Sequence, residues 1–156
     1  MIRRATIEDI DRILSIVHSA QLSLRELGID QWQDGYPRRE NIEADIEANI
    51  GWVVTDDANI AIGYAAIPFT GEEAYKQLPD EAWHTGERYV VVHRLCVDGA
   101  IRRQGVAMQL ITHAIELARD NGMDGFRIDT HRGNIRMLAL VEKLGFSYCG
   151  IVRYES

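Results

Sequence analysis

Apolar positions along the chain switch repeatedly between a two-residue and a three-to-four-residue period, and the switches mark out alternating strands and helices. "MIRRAT" predicts a short first strand. Thr6 and Asp9 then read as a capping pair, and Ile10, Leu14, Val17, Leu24 and Leu27 recur at helical spacing until Gly28. "IDQWQDGYPRR" reads as a loop before a short helix carrying Ile42 and Ile46. "GWVVTDDANIAIGYAAIPF" predicts an antiparallel hairpin around an Asp-Asp-Ala-Asn turn. "TGEEAYKQLPDEAWHTGE" has no sustained period and reads as an ordered loop bordering a site.

The second half is more regular. "RYVVVHRLCVD" is a β-branched run suited to a strand buried on both faces. The helix after it turns Leu110, Ile111, Ala114, Ile115 and Ala118 inward and stops at Asn121-Gly122. "FRIDTH" predicts another strand. Asn134 is placed to cap a helix burying Met137, Leu138, Val141 and Leu144 up to Gly145, and "FSYCGIVRYE" predicts a closing strand. The order is β-α-α-β-β-β-α-β-α-β, which predicts a mixed α/β fold with helices on both faces of a mixed sheet.

Composition narrows the function. With 156 residues, 46% hydrophobic and 26% charged, the chain is expected to form one domain, residues 1–156, around a single core. A net charge of -7 disfavours nucleic acid or an anionic membrane as general partners. Cys96 and Cys149 sit in apolar runs without metal or redox spacing and read as reduced core thiols, and no metal site is expected. The N-terminus lacks the uninterrupted apolar stretch of a signal peptide and no segment approaches a membrane span, so a cytoplasmic location is expected.

Arg102 to Ala107, "RRQGVA", stands where an apolar strand gives way to an amphipathic helix. The unpaired N–H groups and positive dipole end of a helix starting near Gly105 would make an anion site, and Arg102 and Arg103 would add forked donors. The alternative is a tight turn with solvated arginines. Neither a GxxxxGK[ST] nor a GxGxxG loop is present, which excludes the better-known nucleotide loops.

Arg102, Gln104, Gly105 and Ala107, with the preceding strand and the later run from Asn134 to Phe146, resemble the two central motifs of the GNAT-type N-acetyltransferases, in particular a group of small bacterial members of unknown substrate. The resemblance is strong over residues 88–150. It implies a GNAT-like fold, with the sheet splayed between its fourth and fifth strands, and acetyl-CoA as co-substrate with no metal. The pyrophosphate would lie on the backbone from Arg103 through Gln104, Gly105 and Val106 to Ala107. Pantetheine would pair with Leu95 and Val97 in the gap beside Ile128 and Thr130, and a backbone N–H near Leu95 or Cys96 would hold the oxyanion. Asn134 would bond the pantetheine arm or cap its helix, and Lys143 would sit near the phosphates.

The acceptor amine must reach the thioester unprotonated. His93 is the candidate base, against the alternative of a hydrogen-bonded structural histidine; Asp129 and His131 are weaker candidates. Relatives often place an acidic tyrosine where this chain has Val141, so Tyr148, Tyr36 or water would protonate the leaving thiolate. Trp32, Tyr36 and Trp83, in the unmatched segments, are candidates for the acceptor pocket, against aromatic anchors of solvated loops. One strand follows the last helix where relatives have two, which suggests a missing strand or a homodimer covering the edge. Two functions of different class follow: an N-acetyltransferase acting on an unidentified amine, or a catalytically silent CoA-binding sensor.

Overall fold

The computed structural model describes residues 1–84, 86, 88–101 and 105–151. Its elements are β1 (Ile2–Arg4), α1 (Ile10–Glu26), α2 (Arg39–Glu47), β2 (Gly51–Thr55), β3 (Ala61–Ala66), β4 (Tyr89–Val91), β5 (His93–Val97), α3 (Val106–Asp120), β6 (Gly125–Arg127) and α4 (Ile135–Lys143). The order matches the pattern read from the sequence, with two differences. The expected fourth strand is broken at Val92 into β4 and β5. Phe146 to Ile151 form no strand, and residues 152–156 lie outside the described residues.

The break at Val92 sets the topology. β1, β2, β3 and β5 form an antiparallel sheet in that order, whereas β4 pairs in parallel with β6. A single stretch of chain therefore changes partners partway along. Beyond Val92 the two sheets diverge, which is the splay expected between the fourth and fifth strands.

Side-chain alternation places helices on both faces. Val53 and Tyr64 pack with Ile10, Ile13, Ile16, Val17 and Ile42 beneath α1 and α2. Their neighbours Val54 and Ala65 pack with Val106, Leu110, Ala114 and Ala118 of α3. Full burial of side chains such as Ile13, Ile42 and Leu110 contributes about 1.5–3 kcal/mol each. α4 departs from expectation: none of its residues is buried, and Leu138 is 40% exposed, because among the described residues nothing packs over its outer side.

Two polar clamps fix the strand ends. Both oxygens of the nearly buried Asp9 accept from the Arg3 guanidinium at 2.8 Å, and one also accepts from Thr6 N–H at 2.8 Å, which is the capping role expected of that pair. Arg12 of α1 donates to the Ala61 carbonyl at 2.8 Å and pairs with Asp98, while Ser19 Oγ accepts from Gly99 N–H at 3.0 Å. The turn from β5 toward α3 is thus tied to α1. Gly63 completes the seating of α3, since a Cβ there would run into the Val106 side chain. Among the described residues, no helix is long and apolar enough to cross a membrane.

Candidate active site

The divergence of β5 from β6 leaves β5 paired only with β3. Its outer edge faces a gap in which backbone donors and acceptors have no strand partner among the described elements. Ile128 to Thr130, expected to continue a strand here, follow the end of β6 without strand structure. β5 also bulges. Tyr64 pairs with Cys96 and Ala66 with His93, so Ala65 alone opposes Arg94 and Leu95. Arg94 takes a left-handed φ of +54°. For a residue with a Cβ that conformation costs roughly 1–2 kcal/mol, which the surroundings must offset.

They do so through a buried network. Arg94 donates to Asp45 through Nε at 2.8 Å and Nη2 at 2.5 Å, and through Nη1 to the Tyr36 hydroxyl at 2.8 Å. Asp45, 3% exposed, also accepts from the Tyr64 hydroxyl at 2.5 Å. Burial disfavours the guanidinium charge, but the Asp45 carboxylate outweighs it and raises the Arg94 pKa above its ordinary value. Burial, then Asp45, likewise raises that of Tyr64, which stays a donor. Four segments meet here: the Tyr36 loop, α2, β3 and β5.

His93 begins β5, and its Nε2 lies 3.0 Å from Glu72 Oε2. The other Glu72 oxygen accepts from Ala74 N–H at 3.2 Å, at the start of the 3-10 turn Glu73–Gln77, so the carboxylate is held from both sides. Burial, followed by the positive charge of Arg94, lowers the His93 pKa against the opposing pull of Glu72, Asp129 and Asp45. The ring is therefore neutral at pH 7. With its proton on Nε2 facing Glu72, Nδ1 is left as the basic nitrogen.

An aromatic wall adjoins the pair. Tyr75, 2% exposed, donates to Asp129 at 2.7 Å, and its ring lies 5.2 Å from Trp83 and 6.2 Å from Tyr89. Arg127 stacks over Tyr89 at 3.9 Å and Trp83 at 4.1 Å. Trp32 meets Tyr36 edge-on at 6.3 Å and packs on the core beneath α1. Trp32, Tyr36 and Trp83 are all partly buried. Tyr36 joins the Arg94 network, while Trp83 belongs to the wall above Tyr75.

At the start of α3, Gly105 has a left-handed φ of +73° and is followed by an N-terminus that no side chain caps among the described residues. A Cβ on Gly105 would meet none of the described residues within 4 Å. A depression of about 530 Å³ runs from it along Met108, Gln109, Thr112, His113 and Glu116 to Ile2. Arg102, Arg103 and Gln104 lie outside the described residues. Val106 is buried against the sheet and Ala107 half-buried behind it. Asn134 caps α4 by accepting from Met137 N–H at 3.2 Å, and Lys143 is exposed at the other end of that helix.

The other candidates are placed as follows. Leu95 and Val97 are partly buried against the α3 side, whereas Cys96 is buried on the other face, where burial pushes its thiol up to about 12. Cys149 is only half-buried, so it is not a core thiol. His131 accepts from Gly133 N–H at 2.9 Å and serves its turn. Tyr148 is 80% exposed, and no described contact links it to His93. Among the described residues, no group of three or more His, Cys, Asp or Glu is placed to hold a metal ion.

Glu72, Arg94, Asp45 and Tyr75 were not expected. Asp45 did carry a signal, since it falls between Ile42 and Ile46 on the apolar face of α2, where a carboxylate requires a partner. Glu72 and Tyr75 lie in the aperiodic segment that read as bordering a site.

Comparison with known proteins bears on the family and the fold. The family model described as Acetyltransferase (GNAT) family matches residues 16–146. GCN5-related N-acetyltransferase 6, chloroplastic, of Arabidopsis thaliana is 31% identical over 105 residues, which is 67% of this chain and 36% of that longer protein. A GNAT family acetyltransferase from Streptococcus agalactiae is 36% identical with a TM-score of 0.85, covering 97% of this chain and 87% of the other. AAC(6')-Iy, solved with the bisubstrate analogue CoA-S-monomethyl-acetylneamine, shares the fold at 20% identity and a TM-score of 0.66, covering 100% of this chain and 96% of its own. By its matched family model and its fold, the chain belongs to the GNAT family of acetyltransferases.

Proposed function

We propose that this chain is a cytoplasmic N-acetyltransferase that moves the acetyl group of acetyl-CoA directly onto the amine of a small molecule or protein. The observation that carries the reading is His93, held by Glu72 at 3.0 Å, immediately before a bulge on the unpaired edge of β5. Pantetheine adds alongside that edge and pairs with the backbone of Leu95 and Val97. Its pyrophosphate takes the uncapped N–H groups after Gly105, with Val106 and Ala107 supplying backbone and Arg102, Arg103 and Gln104 the flanking donors. The bond that Asn134 accepts from Met137 N–H favours capping of α4 as its first role.

The chemistry starts with an ammonium, because an aliphatic amine has a pKa of about 10.4. His93 Nδ1 takes its proton, and the free amine attacks the thioester carbonyl. The N–H of Leu95 or Cys96 receives the negative charge that develops on oxygen. Collapse breaks the carbon–sulfur bond, the new amide nitrogen gives up its remaining extra proton to water, and the thiolate takes a proton from water, or from Tyr148 or Tyr36, which solvent reprotonates as His93 releases its own proton. The acceptor enters between the Trp32–Tyr36 side and the Trp83–Tyr75 wall.

Thiol release from acetyl-CoA across a panel of amines tests the reading, with calorimetric binding of acetyl-CoA alongside. Acceptor-dependent release that His93→Ala loses while still binding acetyl-CoA is the expected result. A chain that binds no acetyl-CoA sinks the reading.

A further inference from the structure

Arg94 is the strained residue of β5, and its neighbours on either side are the proposed base and the proposed oxyanion donor. We propose that Arg94 is the positioning residue of the reaction centre: its guanidinium, anchored on Asp45 and Tyr36, holds the β5 bulge in the geometry that sets His93 and the Leu95 N–H toward the acetyl group. This rests on the transferase reading.

Three observations carry it. First, the left-handed φ of Arg94 coincides with the register shift, so the same residue makes the bulge and anchors it. A left-handed residue reverses the pleat locally and takes the following N–H out of the ladder with β3. Second, the anchor is specific to a forked side chain. Nε and Nη2 engage both oxygens of Asp45 while Nη1 reaches Tyr36, an arrangement that lysine has too few donors in one plane to copy. Third, the pair is deeply placed, with side chains 16% and 5% exposed. A buried ion pair is a weak source of stability compared with an apolar pair of the same volume. Its placement at a strained backbone position, between two groups of the reaction, points to geometry.

Arg94 also acts on His93 through charge. The groups around that imidazole are Glu72 from the 3-10 turn region, Asp129 after β6, Asp45 from α2 and Arg94 itself. Arg94 is the one cation among them, and its pull on the ring exceeds that of Asp45.

Two variants separate the roles. Arg94→Lys keeps the charge and loses the fork. Arg94→Gln with Asp45→Asn removes both charges, so that no unpaired carboxylate is left buried. The readouts are acetyl-CoA affinity by calorimetry, thiol release, and titration of the His93 ring by NMR. Both variants are expected to bind acetyl-CoA within about 3-fold of the parent and to lose at least about 10-fold in kcat. The His93 midpoint should rise in the double variant and stay in place in Arg94→Lys. Unchanged kcat in Arg94→Lys, or an unmoved midpoint in the double variant, overturns the proposal. A parent chain that binds no acetyl-CoA fails the transferase reading instead, and the titration still decides whether Arg94 controls His93.

Discussion

Glu72 Oε2 lies 3.0 Å from His93 Nε2, and its second oxygen is tied to the backbone of Ala74. In the proposed reaction the carboxylate orients the ring and its tautomer and remains a partner rather than the base. His93→Ala should therefore lower kcat/KM by about 10²–10⁴. Glu72→Gln keeps a hydrogen-bonding group in place and should cost less, on the order of 10-fold. Steady-state thiol release on one good acceptor measures both. Equal losses in the two variants would make Glu72 the proton acceptor and His93 its support.

The direction of the His93 shift gives a pH profile. Burial and Arg94 hold its pKa below the ordinary value, so the ring is still neutral somewhat below about pH 6.5. kcat/KM should rise with pH along a limb whose midpoint lies below that value, and His93→Gln should abolish the limb. For stability the sign is the same. The unfolded chain binds the proton more readily, so the contribution of His93 is complete above about pH 6.5 and is lost as pH falls toward the folded pKa. A limb centred above the ordinary histidine value would contradict the burial and charge pattern around the ring.

The elements of this fold were legible because strands and helices differ in period, and the two faces of β2 and β3 each had a helix to match. The break at Val92 was not. "YVVVHRLCV" is a continuous β-branched and apolar run, and what divides it is the partner change to β6 together with the bulge at Arg94, both of which depend on distant chain. The helix start at Gly105 and the place of His93 on the central strand were readable from spacing and position. Asp45 comes from one segment and Glu72 and Tyr75 from another, and only the folded chain brings them to β5 and Asp129. α4 illustrates the opposite failure: its apolar period was clear, but period alone does not supply the surface that would cover it.

Gly105 separates binding from folding. Its φ of +73° suits glycine or asparagine, and a Cβ there meets none of the described residues within 4 Å. Gly105→Asn should leave both stability and acetyl-CoA affinity nearly unchanged. Gly105→Glu places a carboxylate at the helix N-terminus, where it favours the dipole by about 0.3–1 kcal/mol and offsets part of the backbone strain. Its effect on the melting temperature should be small, yet it should weaken acetyl-CoA by 10-fold or more by repelling the pyrophosphate. Calorimetry beside thermal melting reads the difference; parallel losses in both would mean that Gly105 matters only for the turn.

His113 on α3 offers a test of stability away from the reaction centre. Its ring meets Trp52 edge-on at 4.3 Å, with Arg4 stacked on that tryptophan at 5.0 Å. The Nε2 atom is buried and has no hydrogen-bond partner among the described residues. Burial lowers the His113 pKa, with Arg4 adding to the effect and Glu116 opposing it. Phenylalanine would keep the edge-on contact and remove the orphaned nitrogen, whose burial costs about 1–3 kcal/mol. His113→Phe should therefore raise the melting temperature by a few degrees at pH 7. The gain should widen below about pH 6.5, where the wild-type ring must either stay neutral against its unfolded preference or carry a charge into the Trp52 contact. Melting curves at pH 7.5 and 5.5 measure both parts. A destabilised His113→Phe chain would show that Nε2 is satisfied in solution, with a water entering from the depression along α3 as its partner.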